Sequence, residues 1–212
     1  MLAFLRDFLD SALKDTGDVQ MACITGMTRI AEESVFSGFN NVCVYDVFSE
    51  EFSDRFGFTE TEVKEILNHF GHPEKMAEAK EWYGGYRFGN ADIYNPFSIM
   101  MYVLNDFETD RYWKIAGPDV AIEQLLDTGD DRNLEQILPL MNGGEISSKL
   151  KATSSFSDIG RDRNALYSIM TASGYLRAVP CDDDTFCLSI PNMEIEGLLD
   201  ELLNGTNRIP TA

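Results

Sequence analysis

The sequence predicts an α+β fold, mainly helical. Apolar residues recur at three- and four-residue spacing through most of the chain, two apolar runs near the N-terminus lack that period, and short strand-like segments flank Gly, Asn and Asp turns. The 212 residues suffice for one large or two small domains. A hydrophobic fraction of 44% with 11% aromatics excludes compositional disorder.

Leu2, Leu5, Leu9 and Leu13, with Phe4 and Phe8, predict an amphipathic helix from residue 1 to about 14. It starts without a cap or a preceding loop, which favours a chain cut from something longer. "VQMACIT", 19–25, reads as a strand buried on both faces, and "NVCVYDV", 41–47, as a second one. Their sheet partners are mostly missing from the sequence, which again points to an absent N-terminal part.

From residue 49 the pattern turns helical, in "SEEFSDRF" and then "TETEVKEILNHF", where Thr59 and Glu62 have capping-box spacing. "PEKMAEAKEWY" follows with proline in its first turn. Arg87-Phe88 and Ile93-Tyr94 flank a Gly89-Asn90 turn, predicting a hairpin, and Pro96 opens a helix to about Leu104. Helices are expected at 118–127 and 131–141, then a strand in "NGGEISSKLKA". "RNALYSIMTASGYLRAV" is a helix broken at Gly174, "TFCLSIP" a strand after the acidic turn "CDDD", and "NMEIEGLLDELL" a last helix. Helix, hairpin, helix is a winged-helix-like order with an acidic tip.

Lys plus Arg number 17 against 36 Asp plus Glu, a net charge of −19 that repels phosphate backbones and anionic lipid headgroups. Nucleic-acid and membrane partners are therefore not expected of this chain. Cys23 and Cys43 lie in apolar runs and read as buried free thiols. Cys181 and Cys187 flank a turn, but the absence of C-x-x-C and the overall context favour free thiols and a cytoplasmic location.

The chemistry tests are mostly negative. The chain has no Gly-Lys dipeptide and so no G-x-x-x-x-G-K-[ST] loop. Asp46 ends an apolar run as a magnesium-binding acid would, but reads as structural. His69 and His72 have a helix end between them and no third ligand nearby, and Asp182, Asp183 and Asp184 read as a solvated turn, so no metal site is expected. No G-x-S-x-G or Cys/His arrangement supports acyl transfer. The aromatic stretch "EWYGGYRFGNADIYNPF" leaves two readings open. Trp82, Tyr83, Tyr86, Phe88 and Tyr94 pack a hairpin core around Gly84 and Gly85, or Arg87 presents its planar fork to a phosphate or carboxylate.

Four segments in this order, "ITGMTRIAEESVFSGFNNVCVYDV", "FGFTETEVKEIL", "EWYGGYRFGNADIYNPFSIMMYV" and "IMTASGYLRAV" with "LSIPNMEIEGLLDELL", make the chain resemble the predicted AAA-ATPase-like family of bacterial proteins. In that family a P-loop ATPase domain is commonly followed by a PD-D/E-x-K nuclease-like domain. The resemblance covers nearly the whole chain and implies the portion after the Walker motifs. It implies a remnant of the P-loop α/β sheet edge over 1–48, a helical lid with the aromatic hairpin over 49–142 and a winged-helix-like domain over 143–212. Thr25, Arg29 and Arg87 then stand where nucleotide could be sensed, while Asn40, Asn41, Trp82, Tyr83, Gly85, Tyr86, Phe88, Tyr94, Asn95 and Pro96 belong to the family's structural motifs. The family usually has an aspartate where this chain has Gly84, which weakens the case for Arg87.

The expected function is thus the lid, sensor and winged-helix part of an ATPase-like protein, coupling nucleotide state to conformation and not an enzyme alone. ATP and Mg are implied for the full-length family but not bound by this chain alone. Its partners would be the missing ATPase part and a C-terminal domain. The competing expectation is a stand-alone acidic module that binds a protein partner.

Overall fold

A computed structural model describes residues 2–13, 19–26, 43–116, 131–151, 154, 158 and 162–205. Over these residues the fold is mixed α and β, with two small antiparallel sheets. Helix α1 covers Leu2–Leu13, as the leucine spacing predicts. Helix α2, Glu60–His69, starts at the expected capping box: Thr59 Oγ1 accepts from Glu62 N at 3.3 Å, and Glu62 Oε2 accepts from Thr59 N at 2.8 Å. A 3-10 turn at Pro73–Lys75 leads into α3, Met76–Tyr83.

The aromatic stretch forms the predicted hairpin, β2 at Tyr86–Phe88 and β3 at Ala91–Tyr94, joined through Gly89 and Asn90. Strand β1, Phe58–Thr59, pairs with the other edge of β3, giving the order β1-β3-β2. Asn95 then caps α4, Pro96–Leu104, its Oδ1 accepting from Phe97 N at 3.0 Å. Helices α5, Trp113–Ala116, and α6, Asp131–Met141, follow. Strand β4, Ile146–Ser148, helix α7, Arg163–Ala172, strands β5, Arg177–Asp182, and β6, Thr185–Ser189, and helix α8, Met193–Gly205, complete the described chain. The second sheet has the order β4-β6-β5.

The hairpin β2–β3 is shared between two hydrophobic cores. Side chains alternate between faces along a strand, and Ile93 and Tyr94 are divided accordingly. Tyr94 joins Val63, Leu67, Tyr83, Ile99 and Tyr102 in a helical core. Ile93 and Tyr86 join Leu166, Met170, Leu188 and Leu199 in a C-terminal core. Ile137 and Leu140 of α6, which the sequence reading assigned to the middle region, also pack in the C-terminal core. Trp82 packs against the first core and Phe88 against the second, so the rings of the motif are mainly structural.

Several expectations are corrected. Residues 19–26 form no strand and are exposed, Met21 at 89% of its full area. Residues 43–46 likewise lack strand structure, and Val44 and Tyr45 are exposed. An apolar run becomes a buried strand only when neighbours cover it on both sides, and the strands described here lie between residues 58 and 189 and pair among themselves. Cys23 and Cys43 are accordingly exposed rather than buried. Asp46 shapes a turn, its Oδ1 accepting from Phe48 N and Ser49 Oγ, each at 3.0 Å.

"SEEFSDRF" is a series of turns rather than a helix. Phe52 has a positive φ of 63°, and Ser53 Oγ donates to Asn90 Oδ1 at 2.8 Å, tying the segment to the hairpin turn. Cys181 and Cys187 are joined in a disulfide, against the expectation of free thiols. A bulge between Pro180 and Asp182 brings Cys181 beside the opposing strand, with 5.7 Å between the Cα atoms. The helix expected at 118–127, and the residues Arg29, Asn40 and Asn41, lie outside the described residues. No described helix is long and apolar enough to cross a membrane.

Candidate functional site

The two motifs "WYGGYRFG" and "IPNMEIE" meet at one joint between the cores. Gly85 has φ of +85°, and a Cβ there would collide with the Pro191 carbonyl oxygen, so only glycine lets these backbones approach so closely. A Cβ at Gly84 would stand 2.7 Å from the Lys80 carbonyl oxygen and 3.0 Å from the Tyr94 ring. Asn192 fastens the contact: its buried Nδ2 donates to the Gly84 carbonyl at 2.7 Å, and its Oδ1 accepts from Ile195 N at 3.1 Å in the first turn of α8.

Two residues further on, Glu194 is fully buried. Ser98 Oγ of α4 donates to its carboxylate oxygens at 2.9 and 3.0 Å, and Trp113 N of α5 donates to Oε1 at 2.9 Å. One carboxylate therefore holds three helices. Burial pushes its pKa up to about 7, against the lowering effect of these hydrogen bonds, and Asp110 adds to the rise. Burial likewise raises the phenols of Tyr86 and Tyr83 and pushes Tyr94 up to about 12. Trp113 stacks on Tyr175 at 5.6 Å between ring centroids and meets the Tyr86 ring edge at 6.2 Å.

On β2, Arg87 Nη1 lies 3.3 Å from Asp92 Oδ2, its cross-strand partner. Asp92 Oδ1 also accepts from Arg177 Nη2 of β5 at 3.2 Å. Strand β2 lies against β5, so Asp92 links the two sheets. The Nε atoms of Arg87 and Arg177 are both buried and lack a hydrogen-bond partner among the described residues.

Of the predicted sensing residues, Arg87 belongs to this joint, whereas Thr25 lies in the exposed segment 19–26 and not at a strand end. Asn95 and Pro96 start α4, and Asn95 N donates to the Tyr83 carbonyl at 3.1 Å. Sequence reasoning missed Asp92, Arg177, Asn192 and Glu194. Asp92 follows from the hairpin register once Gly89 and Asn90 form the turn, and Glu194 stands four residues before Leu198 on the apolar stripe of α8. Asn192 stands just before α8, where asparagine is a favoured helix cap, whereas nothing local marks its bond to Gly84 or marks Arg177. Among the described residues no cluster of His, Cys, Asp and Glu is arranged to hold a metal ion.

No protein-family model matches the chain, and no solved structure matches it. It is similar to a curated protein of Azotobacter chroococcum mcd 1, the uncharacterized protein in vnfD 5'region, at 26% identity over 200 residues. The match takes in 92% of this chain but only 36% of that protein, so the chain spans about a third of its relative's length.

Proposed function

We propose that the chain is the lid, sensor and winged-helix-like portion of an AAA-ATPase-like protein, in which it couples nucleotide state to conformation. The observation that carries this reading is the joint. Arg87, the residue to which this reading gives the phosphate contact, is tied through Asp92 to β5 of the C-terminal sheet. A change at Arg87 is thereby felt by both cores, because β2–β3 contributes side chains to each. Further support comes from the β4-β6-β5 order, with α7 before the β5–β6 hairpin and α8 after it, as in a winged helix. The match to a third of a longer relative agrees with a part that works inside a larger polypeptide. On this reading ATP and Mg are handled by the ATPase domain, and this chain turns over no ATP by itself.

Two measurements test the reading. Pure 212-residue chain should show no ATP turnover above background, and steady Mg-ATP hydrolysis would refute it. In the longer polypeptide that carries the Walker motifs, Arg87→Ala should uncouple turnover from conformational change. Unchanged ATP affinity and turnover there would return Arg87 to a purely structural role.

The second reading, an acidic protein-binding module, draws on α4. Phe97, Met100 and Leu104 lie at i, i+3 and i+7 and are all exposed, an apolar stripe on one helix face. A Met100→Lys substitution that leaves nucleotide coupling intact but abolishes complex formation would favour that reading.

A further inference from the structure

We propose that Arg87 and Arg177 form a binding site for a phosphate group, and that the incoming dianion takes over the contacts that Asp92 now makes. Two guanidiniums share one carboxylate, which leaves the trio with an excess positive charge in a strongly acidic chain. The ion-pair distances of 3.3 and 3.2 Å are longer than the ~2.7–2.9 Å of a well-formed charge-assisted bond. Each guanidinium carries five N–H donors, and both Nε atoms are buried without an acceptor among the described residues. The donors outnumber what one carboxylate can accept.

The exposures show which partner can leave. The Arg87 and Arg177 side chains are 27% and 35% exposed and held among packed strands, whereas the Asp92 side chain is 61% exposed and can turn into water. A phosphate group brings three oxygens and close to two charges, so it can meet both planar forks where Asp92 meets each at one oxygen. Because Arg87 is on β2 and Arg177 on β5, such a ligand would bridge the two sheets in place of Asp92. The net charge of −19 suppresses diffuse anion binding, so a saturable phosphate response would report this site. Taking the phosphate to be the terminal group of a nucleotide rests on the function proposed above. The same chemistry fits free phosphate.

The test follows the arginine Nε–H signals of the 212-residue chain by NMR. It is titrated with inorganic phosphate and separately with ATP, and with sodium chloride at matched ionic strength as the control. The expected result is a saturable shift of the Arg87 and Arg177 signals that chloride does not produce. Asp92→Asn should tighten binding about tenfold, and Arg177→Lys in that background should weaken it at least as much. Backbone amide spectra of each variant show that the fold is kept. A stronger response to ATP than to inorganic phosphate identifies the nucleotide as the source, whereas a response to inorganic phosphate alone keeps the site and removes its nucleotide. No saturable shift with either ligand, in the native chain and in Asp92→Asn alike, overturns the proposal. The turnover experiment on Arg87→Ala would still judge the lid reading separately.

Discussion

Replacing Glu194 by glutamine should change the pH dependence of folding more than any other single substitution at the joint. The carboxyl is fully buried, and its pKa is raised from 4.5 to about 7. In the unfolded chain it ionises near its ordinary value, so between the two values the unfolded state binds fewer protons than the folded one, and stability falls as pH rises. Its contribution is fully present below the unfolded pKa and is lost as pH rises through the folded one. At about 1.4 kcal/mol per pK unit, the whole difference is about 3 kcal/mol, of which about 2–3 kcal/mol falls between pH 5 and pH 8.

Glutamine keeps an oxygen to accept from Trp113 N and Ser98 Oγ but carries no charge to desolvate. Urea unfolding of both proteins at pH 5, 6, 7 and 8 should therefore show Glu194→Gln more stable at pH 8 by about 2–3 kcal/mol, with the gap narrowing toward pH 5. Groups held low by cations or N–H donors, such as Glu60, Glu62 and Asp162, titrate at the acid end and cancel in the comparison. Parallel stability curves for the two proteins across this range would refute the argument.

Gly85→Ala should destabilise the chain by at least about 1–3 kcal/mol from its positive φ alone, with the Pro191 clash added. A melting temperature within a degree or so of the native chain would contradict the close approach. Thr59→Ala should cost about 1 kcal/mol through loss of the capping box, measured by urea unfolding. Tyr83→Phe removes an Oη that donates to the Asp110 carbonyl at 3.2 Å and accepts from Asp110 N at 3.1 Å, which should cost about 1–3 kcal/mol and speed amide exchange at Asp110. Alkylation of the native, unreduced chain should label Cys23 and Cys43 and spare Cys181 and Cys187 until a reductant is added. Four labelled thiols without reductant would show that the disulfide is absent.

Local signals were legible where a few neighbouring residues suffice to satisfy the backbone. The capping box at Thr59, the start of α4 at Asn95-Pro96, the Gly89-Asn90 hairpin and the final helix all follow from groups within one or two turns. The apolar runs at 19–25 and 41–47 misled because their composition describes what they would need around them, and no described strand meets that need. "SEEFSDRF" misled differently: helix-compatible residues were drawn onto the hairpin turn by the bond from Ser53 to Asn90.

By itself the sequence determined the secondary structure of the hairpin and its flanking helices, the acidic character of the chain, and Arg87 as the group to test. Only the tertiary structure decided what joins the Arg87–Asp92 pair to the rest of the chain. Arg177 lies 85 residues from Asp92 and Asn192 lies 108 residues from Gly84, and side-chain chemistry carries no record of which distant backbone it will face. Those pairings are set by the packing of two cores against one hairpin. That packing turns Gly84 and Gly85 from a flexible dipeptide into the close contact through which the two halves touch.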